Sequence, residues 1–209
     1  MALAARVDFT MEQGSRWYPD VILWNDSDGD PVDITSYAAK LQIRATKSAS
    51  SALETMSSAF GDITLGGGAG TIQLDMSGER TRDITAFTRA VYDLMMFPHV
   101  GSAIVAAGSY TSATVDVDDG NDRSVITADG GTPFSVLSAD DYVAITLSEN
   151  GHEGVFKIYS VTNTILTLTE TLSGTDNAAD TAISIQELSN ENAIRLIEGA
   201  IYRNLGVTS

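Results

Sequence analysis

The chain has 209 residues, long enough for one large or two small domains that each bury a core without covalent staples. It has no cysteine, which excludes disulfides, thiol catalysis and cysteine-ligated zinc. Twelve basic residues against twenty-eight acidic ones give a formal charge of −16, which repels a nucleic-acid backbone instead of neutralising it.

The acidic residues are scattered with no block of like charge, the pattern of a solvated surface and not of an acidic tail. The N-terminus, Met1-Ala2-Leu3-Ala4-Ala5-Arg6, lacks the charged and apolar regions of a secretory signal, and the longest apolar runs are too short to cross a bilayer. A soluble protein made in a cytoplasm, with no membrane partner, is the expectation.

Val7, Phe9 and Met11 alternate with Asp8, Thr10 and Glu12, the period of a half-buried strand. A second strand is predicted over residues 17–24, ending in the turn Asn25-Asp26-Ser27-Asp28-Gly29-Asp30-Pro31. Residues 39–44 alternate again and are expected to lie antiparallel to that strand. A loop at 47–51 and a short strand at 53–56 follow. Residues 62–65 and 71–76 are then predicted as a hairpin across Gly66-Gly67-Gly68-Ala69-Gly70. Residues 77–84 have helical character, and 89–97 read as a long strand that Pro98 ends.

From Gly101 to Gln186 the texture turns to threonine, alanine, aspartate and glycine. Strands are predicted at 124–127, 142–147, 154–161, 164–169 and 182–185, with turns at Asn150-Gly151 and Thr162-Asn163. Short strands at this spacing describe a small sandwich or barrel. Residues 194–202 return to the first pattern and can pair with 89–97. The predicted fold class is therefore all-β: a discontinuous sandwich or barrel domain, residues 1–100 plus 188–209, interrupted by a second small β domain at 101–187. Such an insertion costs little, because loop closure grows slowly with length.

No catalytic constellation is visible. The glycine-rich stretch at 66–70 is followed by a strand with no Lys-Ser or Lys-Thr pair, so it lacks the helix N-terminus of a phosphate cradle. Asp116, Asp118, Asp119 and Asp122 are weak calcium candidates, as is the 26–30 run, but neither has the glycine or glutamate of an EF-hand loop. His99 and His152 read as surface loop histidines without triad or metal partners. Glu149 and Glu153, flanking a turn, are the best available carboxylate pair for a hydrolase. No catalytic residue, cofactor or metal is expected. Trp17, Trp24, Tyr92 and Tyr202 are the interface candidates. Trp17 and Trp24 should face opposite sides unless a bulge near Pro19 resets the register.

The succession Phe9-Thr10-Met11-Glu12-Gln13-Gly14-Ser15, then residues 24–37, then Lys40-Leu41-Gln42-Ile43-Arg44, resembles the N-terminal domain of the baseplate upper proteins of tailed bacteriophages. Gly70-Thr71-Ile72-Gln73-Leu74, Val91-Tyr92-Asp93-Leu94 and Arg195-Leu196-Ile197-Glu198-Gly199 look like later strands of the same domain. The chain departs from that family at Ser15, where an aspartate is usual, and in carrying the inserted module. The resemblance implies a virion protein, made in the host cytoplasm, that docks in several copies to a tail or baseplate ring or to the portal and head-tail connector. Its partners would be those rings, neighbouring copies and fibres, and not nucleic acid. A capsid decoration protein is the alternative within that class. A carbohydrate-binding or depolymerising tail module, using Tyr110 or Tyr159, is the alternative outside it.

Overall fold

A computed structural model describes residues 5–85, 87–101, 113–172, 174, 178–180 and 183–204. The first part of the chain forms β1 (Ala5–Arg6), β2 (Phe9–Glu12), β3 (Ile22–Leu23), β4 (Tyr37–Arg44), β5 (Glu54–Ser57), β6 (Ile63–Leu65), β7 (Thr71–Leu74), α1 (Gly78–Asp83) and β8 (Arg89–Pro98). Then come β9 (Ala113–Asp116), β10 (Val125–Ala128), β11 (Tyr142–Leu147), β12 (Gly154–Val161), β13 (Ile165–Leu168), β14 (Ala178–Asp180) and β15 (Ser184–Leu188), and β16 (Ile194–Asn204) ends the series. The protein is nearly all β, and among the described residues no helix is long and apolar enough to cross a membrane.

The chain divides into two compact units, Met1–Met96 with Ala193–Ser209, and Phe97–Asn192. In the first, a six-stranded sheet runs β1-β16-β8-β4-β5, with β2 also on β16, and a three-stranded sheet runs β3-β7-β6. Both sheets contribute inward residues to one core: Leu41, Ile43, Met56, Leu94 and Ile197 from the larger, Ile63, Ile72 and Leu74 from the smaller. This is a two-layer sandwich, in which alternation along each strand sends one face inward. β16 lies antiparallel to β8 from Ile194 opposite Met96 to Tyr202 opposite Arg89, and β1 and β2 add to its other side in parallel.

The expected pairing of residues 39–44 with 17–24 is not what forms. β4 pairs with β5 and lies beside β8 in the larger sheet, while β3 pairs with β7 in the smaller. After the 25–31 turn the chain crosses between layers through Ile34, which is fully buried, so successive strands sit in different sheets. Residues 17–24 also do not form one strand. Trp17 bridges Met76, and only Ile22 and Leu23 pair regularly, with Ile72 and Thr71. From Trp17 to Ile22 the chain takes five steps while its partner takes four from Met76 to Ile72, so a bulge adds one residue and reverses the parity. The Gln73 side-chain amide donates to the Pro19 carbonyl at 2.8 Å inside that bulge.

The chain passes from β1 to β2 over Gly199. A Cβ on that glycine would stand 1.9 Å from the Val7 carbonyl oxygen, so only hydrogen there lets the N-terminal strands approach. The Asp8 carboxylate takes the Ala200 N–H at 2.9 Å, and the Tyr92 hydroxyl donates to the Val7 carbonyl at 2.7 Å. Burial, with the Asp8 charge adding, pushes the Tyr92 phenol above its ordinary value. A phenol held protonated this way stabilises the fold fully below the unfolded value of about 10, and the contribution is lost as pH rises through the folded value. Tyr92→Phe is therefore expected to cost about 1 kcal/mol at pH 8 and to flatten the loss of stability above pH ~10, measured by urea unfolding across pH.

In the second unit one seven-stranded sheet runs β14-β9-β10-β13-β12-β11-β15. Its inward residues, among them Val115, Ile126, Val143, Phe156, Leu166 and Ile185, form a single core, which requires the sheet to curl. Register shifts near Ile145 and Ile158 supply the bends. β9 and β14 were not among the predicted strands. The unit begins at Phe97, which is buried and packs its ring on Tyr142 at 4.6 Å, and the Pro98 carbonyl accepts the Ser189 N–H at 2.8 Å. Its ends thus lie a few residues outside the predicted 101 and 187.

Candidate docking surface

The four predicted interface aromatics separate by burial. Trp17 is only 4% exposed, stacks edge-to-face on Phe9 at 5.6 Å and donates its indole N–H to the Thr10 carbonyl at 3.1 Å. Tyr92 is equally buried. Both are corrected from interface anchors to core residues, because the sandwich closes over them. Trp24 is half-buried, meeting Tyr37 edge-on at 5.7 Å, and the parity reversal explains why both tryptophans turn toward one core. Tyr202 is 42% exposed, opposite Thr10 and Arg89 on β16.

The bulge leaves other side chains outside. Tyr18 is 57% exposed, Val21 49% and Leu23 64%, around an end strand that has a neighbour on one side only among the described residues. Val21 and Leu23 flank Ile22, which packs on the core, so they share the outward face. Arg16 lies over the Tyr18 ring at 4.9 Å and grips Asp75 with two nitrogens, which raises the arginine pKa and lowers the aspartate. Large apolar side chains on an open sheet edge are the features through which strand addition and protein docking work. The sequence signal for them was present, in Pro19 and Asp20 within a run of large apolar and aromatic residues, but its consequence depends on the partner strand.

A second feature lies on the outer face of the six-stranded sheet. Arg44, Lys47 and Arg195 surround a cleft of about 180 Å³ with Gln42, Asp93 and Glu198. Lys47 holds both Glu198 oxygens at 3.2 and 3.3 Å, Arg44 meets Asp93 at 3.4 Å and bonds Gln42, and Arg195 reaches Glu198 only at 3.6 Å.

Several of the remaining candidates hold their own turns. The Asp118 and Asp119 carboxylates accept from the Gly120 and Asn121 N–H groups, closing their own turn at 2.9 and 2.8 Å. Among the described residues no three His, Cys, Asp or Glu side chains are placed to hold a metal ion, so the weak calcium candidates Asp116, Asp118, Asp119 and Asp122 form no ligand set. Asp26 serves its own turn in the same way, accepting from Asp28 and Asp30. Glu153 accepts from the Ser148 N–H at 3.1 Å across the 148–153 turn.

Neither histidine is fully exposed. His152 is completely buried, covered by Gly174 at φ +108°, where a Cβ would lie 2.6 Å from the imidazole Nδ1. His99 is half-buried, and that burial holds it below its ordinary value. One face of the Tyr159 ring is covered by the Arg123 guanidinium at 3.5 Å, which occupies a position a stacked sugar would take. Tyr110 lies outside the described residues. The sequence matches no protein-family model and no curated protein.

Proposed function

We propose that this chain is a non-enzymatic structural component of a tailed-phage particle, docking to a symmetric tail, baseplate or connector ring. One observation carries the reading. The six segments that resemble the baseplate-protein domain, spread between Phe9 and Gly199, all fall in one sandwich unit, while residues 97–192 make a unit of their own. Five of these segments are near one another in sequence, so what supports the reading is the sixth, residues 195–199, which returns to pair with β8 in the same unit.

The docking element is the β3 edge with Tyr18, Val21 and Leu23. Each contact is modest, but many copies on one ring convert modest affinity into persistent attachment. Leu23→Asp places a charge where a partner would exclude water, and is expected to reduce incorporation into purified particles at least about tenfold without changing the thermal midpoint. Quantitative proteomics of the particles checks both role and position. Tens of copies or fewer indicate tail or connector, hundreds indicate a head-decorating protein, and absence removes the proposal.

A further inference from the structure

We propose that the cleft formed by Arg44, Lys47 and Arg195 receives the 118–122 turn of a second copy of this chain. The contact rests on the multi-copy reading above, and adds to it the two surfaces that meet.

Three of the chain's twelve basic side chains converge on this one cleft. Their charges outnumber those of Asp93 and Glu198, in a chain of net charge −16. Lys47 and Arg195 are also incompletely used. A charge-assisted nitrogen-to-carboxylate bond is ordinarily about 2.7–2.9 Å. Here the ion pairs run from 3.2 to 3.6 Å, and among the described residues Arg195 forms no ion pair closer than its 3.6 Å approach to Glu198. The Lys47 side chain is 75% exposed and the Arg195 side chain 53%. At about 180 Å³ the cleft has room for about six waters, which an entering carboxylate pair would displace.

The complementary surface is in the second unit. Arg123 and Lys157 are its only basic residues against fourteen acidic ones, so it carries −12 of the chain's −16. Asp118, Asp119 and Asp122 are all exposed within five residues. Their turn is fixed by its own Asx hydrogen bonds, with Gly120 at φ 82° and Asp122 at φ 57°, so little order is lost when it docks. The Arg123 guanidinium is committed to the Tyr159 ring, leaving these carboxylates to face outward. Because the two surfaces differ, the contact is heterologous and repeats from copy to copy, closing into a ring or continuing as a chain.

Sedimentation velocity on the full chain tests this at 20 and 500 mM NaCl over a hundredfold range of concentration. Wild type is expected to associate at low salt and to dissociate at high salt, as exposed charge pairs are screened. The pairs K47E/R195E and D118K/D119K are each expected to weaken association at least about tenfold while leaving the circular dichroism melt unchanged. An equimolar mixture of the two is expected to recover association in alternating order, because the unaltered cleft of one meets the unaltered turn of the other and the two reversed surfaces are also opposite in charge. A wild type that stays monomeric throughout, or association indifferent to both reversals, overturns the contact. Persistent association by a chain that proves absent from particles would instead sink the phage assignment and leave the contact standing.

Discussion

Gly199→Val is expected to destabilise the sandwich unit by about 4 kcal/mol or more, the range reserved for changes that break packing and backbone together. A Cβ at this position would sit 1.9 Å from the Val7 oxygen and 2.8 Å from its carbonyl carbon, both backbone atoms that cannot rotate away. β1 and β2 would have to leave β16, taking with them Met11, which is 1% exposed, and the Phe9 ring that packs on Trp17 and Tyr92. Two hydrogen bonds go too: Tyr92 to Val7, and Ala200 to Asp8. Hydrogen exchange should show amides of residues 9–12 losing protection first, followed by a lowered unfolding midpoint for β8 and β16. An unchanged midpoint would mean that the N-terminal strands contribute little to closing this unit.

Arg80→Met is the second large effect, expected at about 3 kcal/mol, the low end for breaking a buried ion pair because the Arg80 side chain is 27% exposed. Arg80 reaches from α1, whose N-cap is Ser77, to Asp62, to Glu54 at 2.8 Å and to the Thr55 carbonyl at 2.8 Å. Burial works against the Arg80 charge, but hydrogen bonds to the two carboxylates outweigh it and hold its pKa above the ordinary value. Methionine keeps the aliphatic stem and leaves Asp62 and Glu54 facing each other without a cation. Adding Asp62→Asn and Glu54→Gln should recover at least half of the loss, a non-additivity that a mutant cycle in urea measures directly. Strictly additive losses would show that the three side chains do not act as one network.

Alternation made much of this fold legible in advance. Residues 89–98 carry it cleanly, with a buried position at every second residue over most of the strand, whereas the strands at 37–44 and 154–161 also form but bury runs of consecutive residues. The helical character expected at 77–84 is α1, where the Ser77 side chain accepts the Arg80 N–H at the N-terminus. β9 and β14 escaped notice because alanine, threonine and aspartate carry little hydrophobic contrast, so their strand character comes from pairing with a neighbour. The layer change after the 25–31 turn was equally invisible, since a turn sequence fixes its own dihedrals and not which sheet receives the next strand.

The candidate surfaces were less legible than the fold. Reading residues 17–24 as one strand puts Trp17 and Trp24 on opposite faces unless a bulge near Pro19 resets the register; the bulge is there, turns both inward and leaves Tyr18, Val21 and Leu23 outside. The cleft joins Lys47 to Glu198 across 151 positions, a separation at which sequence alone carries no pairing signal. His152 was misread because Asn-Gly turns are usually at the surface, whereas here Gly174 lies over the ring. In each case the deciding term was tertiary contact, which local pattern does not encode.

The docking role is tested most directly by side-chain-resolution electron cryomicroscopy of the intact particle. The expected density shows this chain repeated around a tail, baseplate or connector ring, with Tyr18, Val21 and Leu23 covered by another virion protein. A particle that lacks the chain, or one in which those three side chains face solvent in every copy, would contradict it.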